Sequence, residues 1–488
     1  MRITFRGVAI VLTCAAAIAV VTLIVVIFAA GLSRSSGRNE NPDQSVSNPV
    51  GSHSGTETEA VPETPDAPET TDDDPIRQNP EDTSASESPP STGPETNDTE
   101  NGDPSPEPGA DTETPAPEGN GAIGAPPDGI FASNEDIQSA VDRVSEKYGA
   151  VGVQVAVIRN GEIVGTYVYG YAVKGTRPMA SDTKIRIASL SKVTLATLIM
   201  RLSEQGLIDV DADIGEYWGA EVRNPNHRDT PITMRQMLSH TSSMRVYEYG
   251  FAADGELIKR RFLDGSCFIG AVPGAIGSWD YNNYAFAALG VTVEVAAGET
   301  VNSLAARYLF GPLGIDAAFG SGSIEDTDNL AVLYLNGGGV GRSIDAQLQS
   351  PGSTFPGERG DEFPGGVTIS AYDYAKLVAV LANRGEYGGV RVLTPESVAL
   401  MESPQGRIGG FDQCLPMRRR TNLFGEEEIF YHTGSNFGVF SLASYNPNNG
   451  NGVVVLTSGA NGVRDSNDIY SICAEISDYI YKYMQNEN

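Results

Sequence analysis

The chain has 488 residues and a formal net charge of −30, with 33 Lys and Arg against 63 Asp and Glu. So acidic a balance offers no basic footprint for nucleic acid, and the length exceeds that of one ordinary domain. Its cysteines, Cys14, Cys267, Cys414 and Cys473, are not spaced as metal ligands.

Residues 7–32 are apolar apart from Thr13 and Thr22 and bear no charge. About twenty such residues suffice to cross a bilayer, so an uncleaved transmembrane anchor is expected, with a cleaved signal peptide as the alternative. From 33 to 129 the chain is rich in Pro, Glu, Thr, Asp and Ser, with Arg34, Arg38 and Arg77 set against roughly twenty acids. Most of the net charge falls here, and the segment is expected to be a disordered, extended linker. From residue 130 the composition becomes that of a folded domain running to 488.

Within it, Ile137, Val141 and Val144 at helical spacing predict a helix over 134–148. The β-rich runs 151–158 and 163–169 flank Asn160-Gly161, a strong hairpin signal. A helix is predicted from Ser189 to about residue 205, ended by Gly206. Thr233-Met234-Arg235-Gln236 has the form of a capping box. Helices are predicted over 370–383 and 394–402, the second with Thr394 as cap and Pro395 in its first turn. Strands return at 438–445 and 453–457, and a helix over 465–484 closes the chain. The fold class expected is an α/β (α+β) sandwich, its antiparallel sheet built from both ends of the domain, flanked by helices and carrying a mostly helical insertion. One disulfide among Cys267, Cys414 and Cys473 is open, although buried small hydrophobes are the simpler expectation.

Three short motifs carry chemistry. In Ser189-Leu190-Ser191-Lys192 an amine lies one helical turn from a hydroxyl, and a serine needs such a base to become a nucleophile. That lysine serves as a base only if its pKa is lowered. Tyr281-Asn282-Asn283 offers a phenol to shuttle a proton and an amide to hold Lys192 or a substrate carbonyl. In His432-Thr433-Gly434-Ser435, Gly434 allows close backbone approach, and the backbone N–H groups of Ser189 and Ser435 could form an oxyanion pair.

Together with Gly206-Leu207-Ile208-Asp209, Leu238-Ser239-His240-Thr241-Ser242-Ser243 and Pro364-Gly365-Gly366-Val367, these motifs resemble the serine β-lactamase and penicillin-binding-protein superfamily, in its class C β-lactamase, D-alanyl-D-alanine carboxypeptidase and esterase-like branch. The resemblance covers nearly all of 135–488. It implies Ser189 as the acylated nucleophile, Lys192 as its partner and Tyr281 as general base or proton shuttle. It further implies a positioning amide at Asn283 and a substrate-binding strand at His432, Thr433, Gly434 and Ser435, with no metal and no cofactor. The superfamily most often has Lys where this chain has His432, a residue expected to titrate near pH 6.5, so carboxylate recognition is weakened and esterase or amidase activity gains weight.

Other features are discounted. Asp209-Val210-Asp211-Ala212-Asp213 starts like a calcium loop but places Ala220 at its twelfth position. Arg418-Arg419-Arg420 faces Glu426-Glu427-Glu428 across a turn, so cross-strand ion pairs are expected rather than a grip on an anionic substrate. His240 is expected to stabilise a turn. The function expected is an extracytoplasmic serine hydrolase acting on an acyl-D-amino acid (a peptidoglycan-type peptide), β-lactam, ester or amide. The alternatives are a small-ester hydrolase and a catalytically silent binding domain. The membrane is its expected partner through the anchor, and its oligomeric state is left open.

Overall fold

Asn160 and Gly161 both take positive φ, 50° and 80°, and turn strand β1 (Gly152–Arg159) back into β2 (Glu162–Val173), as the Asn-Gly pair predicts. The computed structural model describes residues 135–246 and 254–486; the expected anchor and acidic linker lie outside them. After β3 (Arg177–Pro178) come β4 (Gly406–Ile408), β5 (Phe411–Gln413), β6 (Arg418–Leu423), β7 (Glu426–Asn436), β8 (Val439–Asn446) and β9 (Asn451–Ser458). These form one nine-stranded antiparallel sheet in the order β4-β5-β6-β7-β8-β9-β1-β2-β3. The pairing of β1 with β9, Val155 opposite Val455, joins the two ends of the domain.

The principal helices around this sheet are α1 (Glu135–Lys147), α2 (Ser191–Glu204), α3 (Asn283–Ala297), α4 (Ala371–Ala382) and α5 (Ser471–Asn486). Side chains alternate across a strand, and here both faces are covered, so β8 and β9 are buried along their whole length. On one face Val153, Val155, Val157, Val453 and Val455 pack with Ile137 and Val141 of α1 and with Ile472, Ile476 and Ile480 of α5. On the other, Ala156, Ile158, Ala443, Val454 and Leu456 pack with α2, α3 and α4. The small residues Ala156 and Ala443 leave room for α4 against the sheet.

The capping box on Met234–Leu238 is present, with Thr233 and Gln236 bonding reciprocally, and Thr394 caps the helix Pro395–Glu402. Two helix starts differ from expectation. Residues 188–190 form a 3₁₀ turn and α2 begins only at Ser191. The last helix starts at Ser471 rather than 465, because the Asp465 carboxylate accepts the N–H groups of Asn467 and Ile469 and holds a turn instead. Cys267, Cys414 and Cys473 are free and buried, and burial pushes the first two thiols up to about 12. Asp211 and Asp213 pair with Arg235 and Arg223.

Candidate active site

Ser189 sits on a strained corner. Ala188, just before it, has φ of 52°, a conformation that residues with a Cβ seldom adopt and that persists only where surroundings enforce it. Those surroundings are specific. The Ile187 N–H donates to the Val367 carbonyl at 2.9 Å, and the Val367 N–H donates to Ser191 Oγ at 2.9 Å. Ser191 Oγ in turn donates to the Ala188 carbonyl at 2.7 Å, and Ser441 Oγ of β8 donates to the Ile187 carbonyl at 2.8 Å. Ile187 and Leu190 are fully buried on either side, while Ser189 remains partly exposed.

Lys192 is completely buried, and its Nζ meets three oxygens: Ser189 Oγ at 3.0 Å, Asn283 Oδ1 at 2.8 Å and the Pro364 carbonyl at 2.7 Å. Burial holds its pKa well below the usual lysine value, because no carboxylate offsets the loss of solvent. A neutral amine has two N–H groups and one lone pair. The amide and peptide oxygens can only accept, so they take both N–H groups. The lone pair is left to Ser189, whose hydroxyl becomes the donor.

Tyr281 and Asn283 reach this centre because Asn282 caps α3, its side chain accepting the Ala285 N–H at 2.8 Å. The Tyr281 phenol is hydrogen-bonded to Ser189, and burial raises its pKa above the usual value, so it is protonated at neutral pH. That favours a proton shuttle over an anionic base. The His240 ring lies 4.6 Å from the Tyr281 ring, centroid to centroid.

His432, Thr433, Gly434 and Ser435 lie within β7. The pairs Gly434–Ser441 and Ser435–Phe440 set them beside β8. Gly434 also has a reason within the fold. A Cβ there would overlap Ser441 Oγ and lie 2.8 Å from the Ile187 carbonyl and 3.0 Å from the Ser189 nitrogen. The space is needed by the turn at 187–190. Ser435, the exposed next residue, therefore stands alongside that turn. His432 Nδ1 donates to the Thr433 carbonyl at 2.7 Å in the neutral ring, which leaves Nε2 as an acceptor. Burial, with the Arg418 guanidinium nearby, holds its pKa well below 6.5, so it does not titrate where the sequence alone suggested.

Two residues near the site escaped sequence reasoning, and His240, expected to stabilise a turn, holds the loop that bears Tyr281. Pro364 contributes a backbone carbonyl, which no side-chain pattern reveals. Arg418 was grouped with its neighbours, yet the three have different partners: Arg419 pairs with Glu428 at 2.6 Å, and Arg420 donates to Tyr431 at 3.0 Å. The Arg418 guanidinium instead lies 6.0 Å from the centre of the Tyr281 ring and 4.5 Å from that of Phe411, with no carboxylate partner among the described residues. Among those residues no cluster of His, Cys, Asp or Glu could hold a metal.

Residues 137–472 match the beta-lactamase family, and the chain belongs to that family of serine hydrolases. It is 26% identical over 193 residues to the D-alanyl-D-alanine-carboxypeptidase/endopeptidase AmpH of Escherichia coli, a match covering 38% of this chain and 49% of that protein. It is 28% identical over 221 residues to the esterase EstB of Burkholderia gladioli, covering 41% and 54% respectively. The chain thus spans about half the length of these curated relatives. A solved beta-lactamase/D-alanine carboxypeptidase from Pseudomonas syringae shares the fold, with a TM-score of 0.57 at 18% identity over 72% of this chain and 98% of that one.

Proposed function

We propose that this chain is an extracytoplasmic serine hydrolase that forms an acyl-enzyme on Ser189 and favours substrates bearing a carboxylate, namely acyl-D-amino-acid peptides of the peptidoglycan type or β-lactams. The observation that carries the reaction is the Lys192 amine, fully buried without a carboxylate beside it, its pKa pushed well down by that burial, and in contact with the Asn283 and Pro364 oxygens as well as Ser189. Its lone pair takes the Ser189 proton as Oγ bonds to the substrate carbonyl carbon. The backbone N–H groups of Ser189 and Ser435 receive the oxyanion. The Tyr281 phenol hands a proton to the departing nitrogen or oxygen and takes back the one that Lys192 removed from Ser189. Water then enters, gives its proton to the same relay and releases the acid.

The carboxylate preference rests on Arg418, a guanidinium beside Tyr281 without an anionic partner among the described residues. It supplies the cation that His432, held neutral, does not. The names of AmpH and EstB support acyl transfer on peptides and esters alike. The apolar stretch 7–32 and the acidic run after it support an anchored domain outside the cell.

The neutral His432 and the likeness to EstB favour a second reading, a small-ester hydrolase. The test compares kcat/KM for a cephalosporin and an uncharged ester. Ser189→Ala should abolish turnover of both and labelling by a fluorescent penicillin or a fluorophosphonate. Arg418→Gln should lower the cephalosporin value about 10- to 100-fold, the worth of one charge-assisted hydrogen bond, and leave the ester nearly unchanged. Equal effects on both substrates would remove the carboxylate reading and leave the esterase.

A further inference from the structure

We propose that His240 is the positioning residue for Tyr281, holding the phenol against Ser189 through a backbone clamp on both neighbours of that tyrosine; this rests on the relay role given to Tyr281 above. The clamp has two jaws. The His240 carbonyl accepts the Asp280 N–H at 3.0 Å, and its Nδ1 accepts the Asn282 N–H at 3.1 Å. Tyr281 is the single residue between them. Its position is therefore set by His240 more directly than by any other residue of that loop.

The loop that carries His240 is itself fixed. It follows the capped helix Met234–Leu238, the His240 N–H donates to the Met237 carbonyl at 3.2 Å, and the Thr241 N–H donates to the Gln236 carbonyl at 2.8 Å. A φ of 59° at His240 turns its carbonyl and ring towards the same strand of chain. The ring is buried, with its centre 4.6 Å from that of Tyr281 and 5.1 Å from that of Phe286.

A space-filling role would not select histidine. Because Nδ1 accepts a backbone N–H, the neutral ring carries its proton on Nε2, and that atom is buried without a hydrogen-bond partner among the described residues. Burying an unpaired donor is costly, and a hydrocarbon side chain would avoid that cost. What a hydrocarbon lacks is the acceptor for Asn282. Burial, with the Arg418 charge nearby, keeps the imidazole neutral, so Nδ1 retains its lone pair.

The experiment uses the whole chain and an uncharged chromogenic ester. His240→Phe keeps an aromatic ring but has no acceptor. It should lower kcat about 100-fold, the cost of a small misplacement of a reacting group, with KM changed less than about threefold. His240→Asn offers Oδ1 near the place of Nδ1, tolerates positive φ, and should return kcat to within about tenfold of wild type. In a Tyr281→Phe background His240→Phe should cost no more than about threefold further, since the group it positions is gone. A wild-type kcat for His240→Phe, or losses that multiply in the double variant, would overturn the clamp alone. A wild-type kcat for Tyr281→Phe would overturn the relay and the clamp together. Thermal unfolding of each variant separates both from loss of fold.

Discussion

Lys192 illustrates how burial makes reactivity. Three oxygens surround its amine, none of them a carboxylate, so desolvation is uncompensated and the pKa is pushed well down towards the neutral form. Tyr281 is governed by the same burial but in the opposite sense, remaining protonated. Tyr281→Phe should therefore lower kcat/KM by roughly 10²- to 10⁴-fold, the range for a proton-transfer group, measured with ester and cephalosporin alike. His432 yields a stability prediction. Its folded pKa lies below its unfolded value of about 6.5, so between the two the unfolded chain binds a proton that the native chain refuses. The stability it contributes is complete above about pH 6.5 and is lost as the pH falls towards the folded pKa. Denaturation midpoints between pH 5 and 8 should show the wild type losing more stability on acidification than His432→Gln, with a constant difference above that pH. A difference that does not vary with pH would mean that the imidazole is exposed enough to protonate normally.

Among the elements, the end of β7 and the turn at 187–190 act as one part. Ser441 of β8 bonds to Ile187, and Gly434 leaves the space in which Ser189 sits. Gly434→Ala should push the strand away from the nucleophile turn. The expected loss is about 1–3 kcal/mol of stability, the usual cost of overpacking, together with acylation slowed at least about tenfold, since the oxyanion donors move apart. Stopped-flow labelling with a fluorescent penicillin alongside chemical denaturation would measure both. An alanine variant that is less stable yet acylates normally would show that Ser435 takes no part in the oxyanion pair. The Pro364 loop is tied down as well, with Arg186 pairing with Glu362 at 2.8 Å and donating to the Gly365 carbonyl at 2.9 Å.

At the scale of the molecule, the sheet closes only when β1 meets β9, and the outer face is covered jointly by α1 and α5. Deleting residues 1–130 should leave a folded, active domain, because the described core draws on residues from Ile137 onward. Ending the chain at residue 470 should instead prevent folding, since Ile472, Ile476, Ile480 and Met484 would no longer cover the valines of β1 and β9. Circular dichroism and ester turnover on the two truncations check both outcomes. An inactive but folded first truncation would give residues 1–130 a part in catalysis.

Local signals were legible wherever local chemistry decides. The Asn160-Gly161 turn, the Thr233 capping box and the Thr394-Pro395 helix start each depend on residues within one or two turns of chain. The pairing of Ser189 with Lys192 was legible for the same reason, a spacing of one helical turn. Tertiary structure alone decided what surrounds that pair. Pro364 acts through a carbonyl 172 residues from Lys192, and Arg418 was distinguished from Arg419 by which face of a paired strand each presents. The state of His432 depended on burial beneath distant elements, since a pKa follows the dielectric and charges around a group rather than its neighbours in sequence.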